Sequence, residues 1–158
     1  MAKYAISFAN QTSSTSVKSI LGAYMSTTAT CFGEIVEVIV TGSGSAAAAD
    51  IQSRASLVGC TFAGTGTSTA ITPVPFVTGT TAAVGSYGVN NSAEPTTVST
   101  VAPVVFSFNQ RGGMRWAVPQ GEGFKIRADG GTERGAVIQT LASAAGNLDA
   151  SMHFWLQN

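Results

Sequence analysis

The sequence predicts an all-β fold, an antiparallel sandwich or barrel of about eight short strands. Three observations predict it. Apolar and polar residues alternate in segment after segment, the period of two expected of half-buried strands. Glycine, 18 residues in 158, gathers with serine, threonine and asparagine between those segments, where turns need it. No stretch carries a sustained helical period between caps, and the four alanines at 46–49 follow glycine and serine and are too few to hold a helix alone.

A chain of 158 residues fits one domain, residues 1–158, and at that length roughly 70% of the unfolded surface can be buried. Only 10% of residues are charged, against about 25% in an average protein. Net charge is zero, which gives no footing for nucleic acid as the main partner. A neutral surface with few charges associates readily, so other protein is the expected partner. No apolar run approaches the length of a membrane span. Residues 1–8 alternate like a strand and lack the continuous apolar centre of a signal peptide. The Asn-x-Ser/Thr triplets at Asn10 and Asn90 are then read as chance.

In chain order, residues 2–8 form a first strand, and residues 10–16 a polar loop; together they make an N-terminal strand and arm, 1–16. Residues 17–25 are weakly patterned and form a second strand. Residues 31–41, CFGEIVEVIVT, are the clearest early strand. Phe32, Val36, Val38 and Val40 share one face with Glu34 as the odd member; Cys31, Ile35, Glu37 and Ile39 share the other. Residues 51–62 return. Two arrangements are open. The two strands pair with Val40 opposite Ile51, Val36 opposite Ala55, Glu37 opposite Arg54 and Cys31 opposite Cys60, or they lie in different sheets and that register is void. Paired, Glu37 and Arg54 would contribute at most about 1 kcal/mol.

Residues 63–95 are a long insertion, poor in both charge and strand pattern. Pro73 and Pro75 exclude a helix or a central strand there, and a loop of this length is functional or carries short structure of its own. Residues 96–108 are the next strand, with Pro103 at a bulge or edge.

Residues 104–126 hold the densest apolar pattern. Val104, Phe106 and Phe108 alternate with Val105 and Ser107; Arg111-Gly112-Gly113 breaks the run; Met114, Trp116 and Val118 alternate with Arg115 and Ala117; Pro119-Gln120-Gly121 turns; Phe124 and Ile126 follow. Five of the eight Lys and Arg residues lie between Arg111 and Arg134. The pattern reads as a central strand-turn-strand scaffold with Trp116 as a core anchor and Arg111 and Arg115 orienting an intersubunit or sheet-edge contact. Residues 136–142 and 149–156 close the chain as strands. No repeat of fixed period is present, which excludes propellers and solenoids.

Little in the sequence points to catalysis. Nucleophilic catalysis needs a base beside the nucleophile, and the lone histidine, His153, alternates with Met152 and Phe154 as a surface or packing residue does. No carboxylate or thiolate cluster completes a metal site around it, and no cofactor motif is present. Gly64-Thr65-Gly66-Thr67-Ser68 has the composition of a phosphate loop without the following lysine or helix. Glu122, Asp129 and Glu133 lie among five cations and read as cross-strand pairs or a polar rim; hydrolysis would need two of them across one cleft. Cys31 and Cys60 read as reduced, buried thiols, with a disulfide as the alternative.

Four stretches resemble a widespread group of small bacteriophage virion proteins. They are GTGTSTAITPVP at 64–75, AEPT at 93–96, Asn109-Gln110-Arg111 running into Arg115-Trp116, and ASMHFW at 150–155. Their order and spacing cover most of the chain; residues before about 60 match loosely, and the chain ends Leu156-Gln157-Asn158 where the group is usually acidic. The resemblance implies a jelly-roll-like antiparallel sandwich, often trimeric, that decorates a capsid as a cement protein. It carries over no catalytic residues.

The expected function is that of a non-enzymatic head decoration protein, made in the host cytoplasm and bound on the virion's capsid surface. Its partner is the major capsid protein, with no nucleic acid, membrane or cofactor involved, and it forms a homo-oligomer, expected to be a trimer, that gains by multivalency. Expected contact residues are Ile71, Pro73, Pro75, Phe76, Tyr87, Arg111 and Arg115. The alternative, a tail or spike module that binds a receptor or glycan, would show clustered exposed aromatics.

Overall fold

A computed structural model describes residues 1–25, 32–43, 50–61, 68–81, 83, 85–97, 102–127 and 134–157. The described residues form two antiparallel sheets packed as a sandwich, with no helix among them. Four strands come first: β1 (Ala2–Thr12), β2 (Lys18–Tyr24), β3 (Phe32–Gly42) and β4 (Gln52–Thr61). Four short ones follow, β5 (Thr69–Ala70), β6 (Val74–Pro75), β7 (Ser86–Val89) and β8 (Thr96–Thr97). The last five are β9 (Val104–Asn109), β10 (Gly113–Ala117), β11 (Phe124–Arg127), β12 (Arg134–Ala142) and β13 (Asn147–Gln157). The front sheet runs β10-β3-β13-β1-β6, with β11 also on β3. The back sheet runs β5-β7-β2-β12-β4-β8, with β9 also on β4.

Alternation builds the core. Tyr4 and Ile6 of β1, Val38 and Val40 of β3, and Met152, Phe154 and Leu156 of β13 point inward from the front sheet. Leu57, Ala136 and Ile138 meet them from the back. Each large apolar side chain so buried stabilises the fold by about 1.5–3 kcal/mol. A second, smaller cluster of Tyr24, Val58, Cys60 and Val137 has Ala102 packed against it. The Tyr24 ring lies where side chains at Gly22 and Gly135 would stand: a Cβ at either glycine would come within 2.5 Å of it.

The structure corrects several expectations. Of the two arrangements open for β3 and β4, they take the second and lie in different sheets, so the register that set Glu37 against Arg54 is void; Arg54 is opposite Leu141 and Ser107 instead, and Cys31 lies outside the described residues. The expected alternation of β3 also breaks. Its ladder with β13 slips between His153↔Glu37 and Phe154↔Ile35, which leaves Val36 as a β-bulge. Past the bulge the inward side passes from Val38 and Val40 to Ile35, and Glu34 and Glu37 come to share the outer face. β1 runs on to Thr12 through an irregularity at Asn10, whose φ is 62°, instead of stopping before the polar loop. Residues 96–108 are two strands rather than one, separated by residues that include 98–101 outside the description.

The 104–126 stretch has the alternation expected, but it is peripheral. β9 edges the back sheet on β4 while β10 and β11 edge the front sheet on β3. The Arg111-Gly112-Gly113 turn therefore steps between sheets and makes no hairpin. Trp116 packs half-buried against the core from this edge.

Residues 68–95 are a clasp on the opposite side. β5 pairs β7 in the back sheet, β6 crosses to pair β1 in the front sheet, and β7 returns to pair β2. A Pro-rich strand fits the β6 position because an edge leaves a missing N–H unused.

Candidate functional site

The exposed apolar surface gathers on the clasp. Val74 is 65% exposed, Phe76 53% and Val77 68%, three of the six large exposed hydrophobics among the described residues. Their backbone is held from beneath. Ala5 pairs Val74 and Tyr4 pairs Pro75. The Phe76 N–H donates to the Lys3 carbonyl at 3.0 Å. Thr80 closes the turn, its hydroxyl donating to the Val77 carbonyl at 2.7 Å, and the Tyr4 hydroxyl donates to the Thr81 carbonyl at 2.6 Å. The Phe76 ring stands edge-on to His153 with centroids 5.1 Å apart, and Lys3 Nζ sits 4.7 Å from its centre. This is a pre-set ridge: contact residues already ordered lose less entropy on binding.

From His153 a chain of contacts crosses the outer face of the front sheet. His153 Nδ1 lies 2.7 Å from Glu37 Oε2, and Arg115 Nε donates to Glu37 Oε1 at 2.5 Å. The Glu37 side chain is 12% exposed. Burial pushes its carboxyl up, but the hydrogen bonds from Arg115 and His153 and the charges behind them outweigh that and hold it below its ordinary value. Ser151, two residues before His153 on the same face, lies 3.2 Å from Nε2 through its hydroxyl oxygen. Beside it is an open groove of about 450 Å³ lined by Ser7, Phe8, Ile39, Thr41, Asp149 and Ser151 among others. Next along β3, Glu34 is buried and accepts the Gly121 and Gly123 N–H groups at 2.7 Å each, fixing the turn between β10 and β11.

The expected contact residues thus do not form one surface. Pro73, Pro75 and Phe76 lie on the ridge, and Ile71 is half-buried against the core, its N–H donating to the Tyr87 carbonyl. Tyr87 is not a surface residue: it is 6% exposed and stacks on Phe154, centroids 5.4 Å apart, because β7 turns it inward. Arg111 sits at the edge step, 3.3 Å from Asp50, and Arg115 lies across the front sheet, joined to Phe76 through Glu37 and His153. His153, Glu37, Ser151 and Lys3 were absent from the expected set. Glu37 was visible as a charge inside an apolar run, but its partners come from strands more than 75 positions away.

The AEPT motif acquires a role. Glu94 accepts the Ser19 N–H at 2.7 Å, the Ser19 hydroxyl, and Gln139 Nε2 at 3.2 Å, and so ties the end of the clasp to β2 and β12. Cys60 is a buried free thiol whose pKa burial pushes up to about 12; Cys31 lies outside the described residues. Of the three carboxylates weighed for hydrolysis, Glu122 is exposed in the β10–β11 turn, and Asp129 and Glu133 lie outside the described residues, as does most of the Gly64–Ser68 loop. Among the described residues no group of three His, Cys, Asp or Glu is placed to hold a metal ion, and no helix is long and apolar enough to cross a membrane.

No family model matches the chain, and no curated protein or solved structure matches it.

Proposed function

We propose that this protein is a virion structural protein that decorates a phage capsid, binding the major capsid protein lattice through the Val74–Phe76–Val77 ridge. The observation that carries the reading is that ridge: apolar, half or more exposed, and braced by β1 and His153 rather than collapsed onto the core. A contiguous exposed apolar patch on a protein with so few charges marks a protein-binding surface. It begins within the 64–75 stretch, one of the four that resemble phage virion proteins.

The sheet order gives further support. Read through the eight main strands, the sheets are β10-β3-β13-β1 and β2-β12-β4-β9, the order that two interleaved Greek keys give a jelly roll. Such a scaffold offers two rigid faces and loops at the ends. A symmetric trimer of it engages several capsid subunits at once, so each ridge need contribute only modest energy. The glycan-binding alternative has less support, since Phe76 is the one aromatic among the large exposed hydrophobics of the described residues.

The test is addition of purified protein to expanded capsids that lack it. Saturable binding, with a rise in the temperature at which the heads rupture, is expected. No binding well above micromolar concentration overturns the reading, and specific binding to a glycan array in its place would favour the spike alternative.

A further inference from the structure

We propose that Ser151 is an activated nucleophile and that the outer face of the front sheet is a site for hydrolysis of short acyl esters. Three residues on two neighbouring strands carry the inference. The Ser151 hydroxyl is 3.2 Å from His153 Nε2, and His153 Nδ1 is 2.7 Å from Glu37 Oε2. Nucleophile, base and orienting carboxylate are in contact in that order, the arrangement by which a serine is activated whatever the fold. The ladder builds it. His153 and Glu37 are direct partners between β13 and β3, and Ser151 is the next outward residue of β13, opposite Ile39. The core does not use these side chains, which project from the opposite face of the sheet.

Each side chain is held in a working role. Arg115 occupies the Oε1 side of Glu37, so Oε2 is left for the imidazole. A carboxylate against Nδ1 keeps the proton on Nδ1 and leaves the Nε2 lone pair facing the serine. His153 and Glu37 are largely shielded, their side chains 18% and 12% exposed, and Phe76 covers the imidazole from the side. Ser151 opens on the groove of about 450 Å³. Ser7, the partner of Ser151 across the β1–β13 ladder, lines the same groove and brings a second hydroxyl to it. The groove is open, and its mixed walls, Phe8, Ala9, Ile39 and Thr41 with Asp149 at one side, leave room for a short acyl group.

The step balances without a further reagent. Ser151 Oγ attacks the ester carbonyl carbon as its proton passes to His153 Nε2, and Ser7 donates to the carbonyl oxygen as that oxygen becomes negative. The carbon–alkoxy bond breaks, and the alcohol leaves with the proton from His153. Water then attacks the acyl-serine, giving up its proton to His153, and the serine is regenerated with release of the carboxylic acid. No redox change occurs.

The experiment uses the purified full chain with p-nitrophenyl acetate near neutral pH, and in parallel a fluorophosphonate probe with mass-spectrometric mapping. The wild type is expected to exceed Ser151→Ala about 10- to 100-fold in p-nitrophenol release, at the lower end of what a positioned general base contributes. The probe is expected on Ser151, with His153→Gln and Glu37→Gln both slowing labelling. Ser151→Ala removes one half-exposed hydroxyl, so an unchanged melting temperature shows that it is folded. A wild-type rate in Ser151→Ala, with loss only in His153→Gln, would mean simple imidazole catalysis and would overturn the proposal, as would no label at Ser151. Neither result bears on capsid binding, which is read separately on the same Ser151→Ala protein.

Discussion

Two parts of the clasp, a dozen residues apart, have opposite fates. Around β6, the side chains of Val74, Phe76 and Val77 stand in solvent; in β7, Tyr87 and Val89 are sealed into the core. Composition does not separate them, for both are neutral and flanked by Gly, Thr and Ser. Pairing does. β6 is itself the edge of the front sheet, with two rungs on β1 and proline on one of them, so the chain beyond it is free to turn outward. β7 lies between β2 and β5 and has four rungs on β2, which fix its alternation against the sandwich interior. One segment with a single charge, Glu94, thus supplies both a structural strand and the proposed adhesive ridge.

The comparison can be broken from either side. The largest expected effect is on stability, from β7: Tyr87→Ala removes a ring stacked on Phe154 and should cost about 3–5 kcal/mol in urea or thermal unfolding. A cost below about 1 kcal/mol would show that β7 is no part of the core. The next is on binding, from the ridge. Phe76→Ala with Val77→Ala should leave unfolding within about 1 kcal/mol of wild type, yet weaken capsid binding about 30-fold or more, as loss of a central apolar anchor does. Equal binding by that double variant would move the contact elsewhere.

The smallest effect concerns the brace beneath the ridge. Glu37 is held below its ordinary 4.5, so the stability it contributes is present above that value and is lost as pH falls through the folded-state value. With Arg115 two-thirds exposed, the contribution is about 1 kcal/mol or less. The melting temperature of wild type should accordingly fall more steeply below pH 4.5 than that of Glu37→Gln. Parallel acid limbs would show that the Arg115–Glu37–His153 chain adds nothing to the fold.

Strands with clean alternation were legible in the sequence. The 104–108 and 114–118 runs have the inward and outward faces assigned to them, and residues 136–142 and 149–156 lie within longer strands. What the pattern does not contain is which sheet a strand joins. Nothing local to β3 and β4 distinguishes a hairpin from a crossover, and the crossover alone decides whether Glu37 meets Arg54 or meets Arg115 and His153. The Val36 bulge was hidden for a related reason, since one extra residue inside an apolar run looks like alternation with an odd member. The edge position of Pro73 and Pro75 was legible because proline is excluded from a helix interior or a central strand. Tyr87 was misplaced because β7 is too short for its period to outweigh the surrounding glycines.

That bulge also makes β3 the compliant strand of the front sheet. At the level of Val36 the β13 ladder changes register, and on the other side β10 gives way to β11 across the turn that Glu34 holds. Both neighbours of β3 are therefore interrupted along one line, where a bulged strand bends and twists most. The interruption is confined to the β3 side of the sheet, since the β1–β13 ladder runs unbroken past the same level, from Ala2↔Leu156 to Phe8↔Ala150. A load across the front sheet would bend β3 at Val36 before the β1–β13 ladder opened.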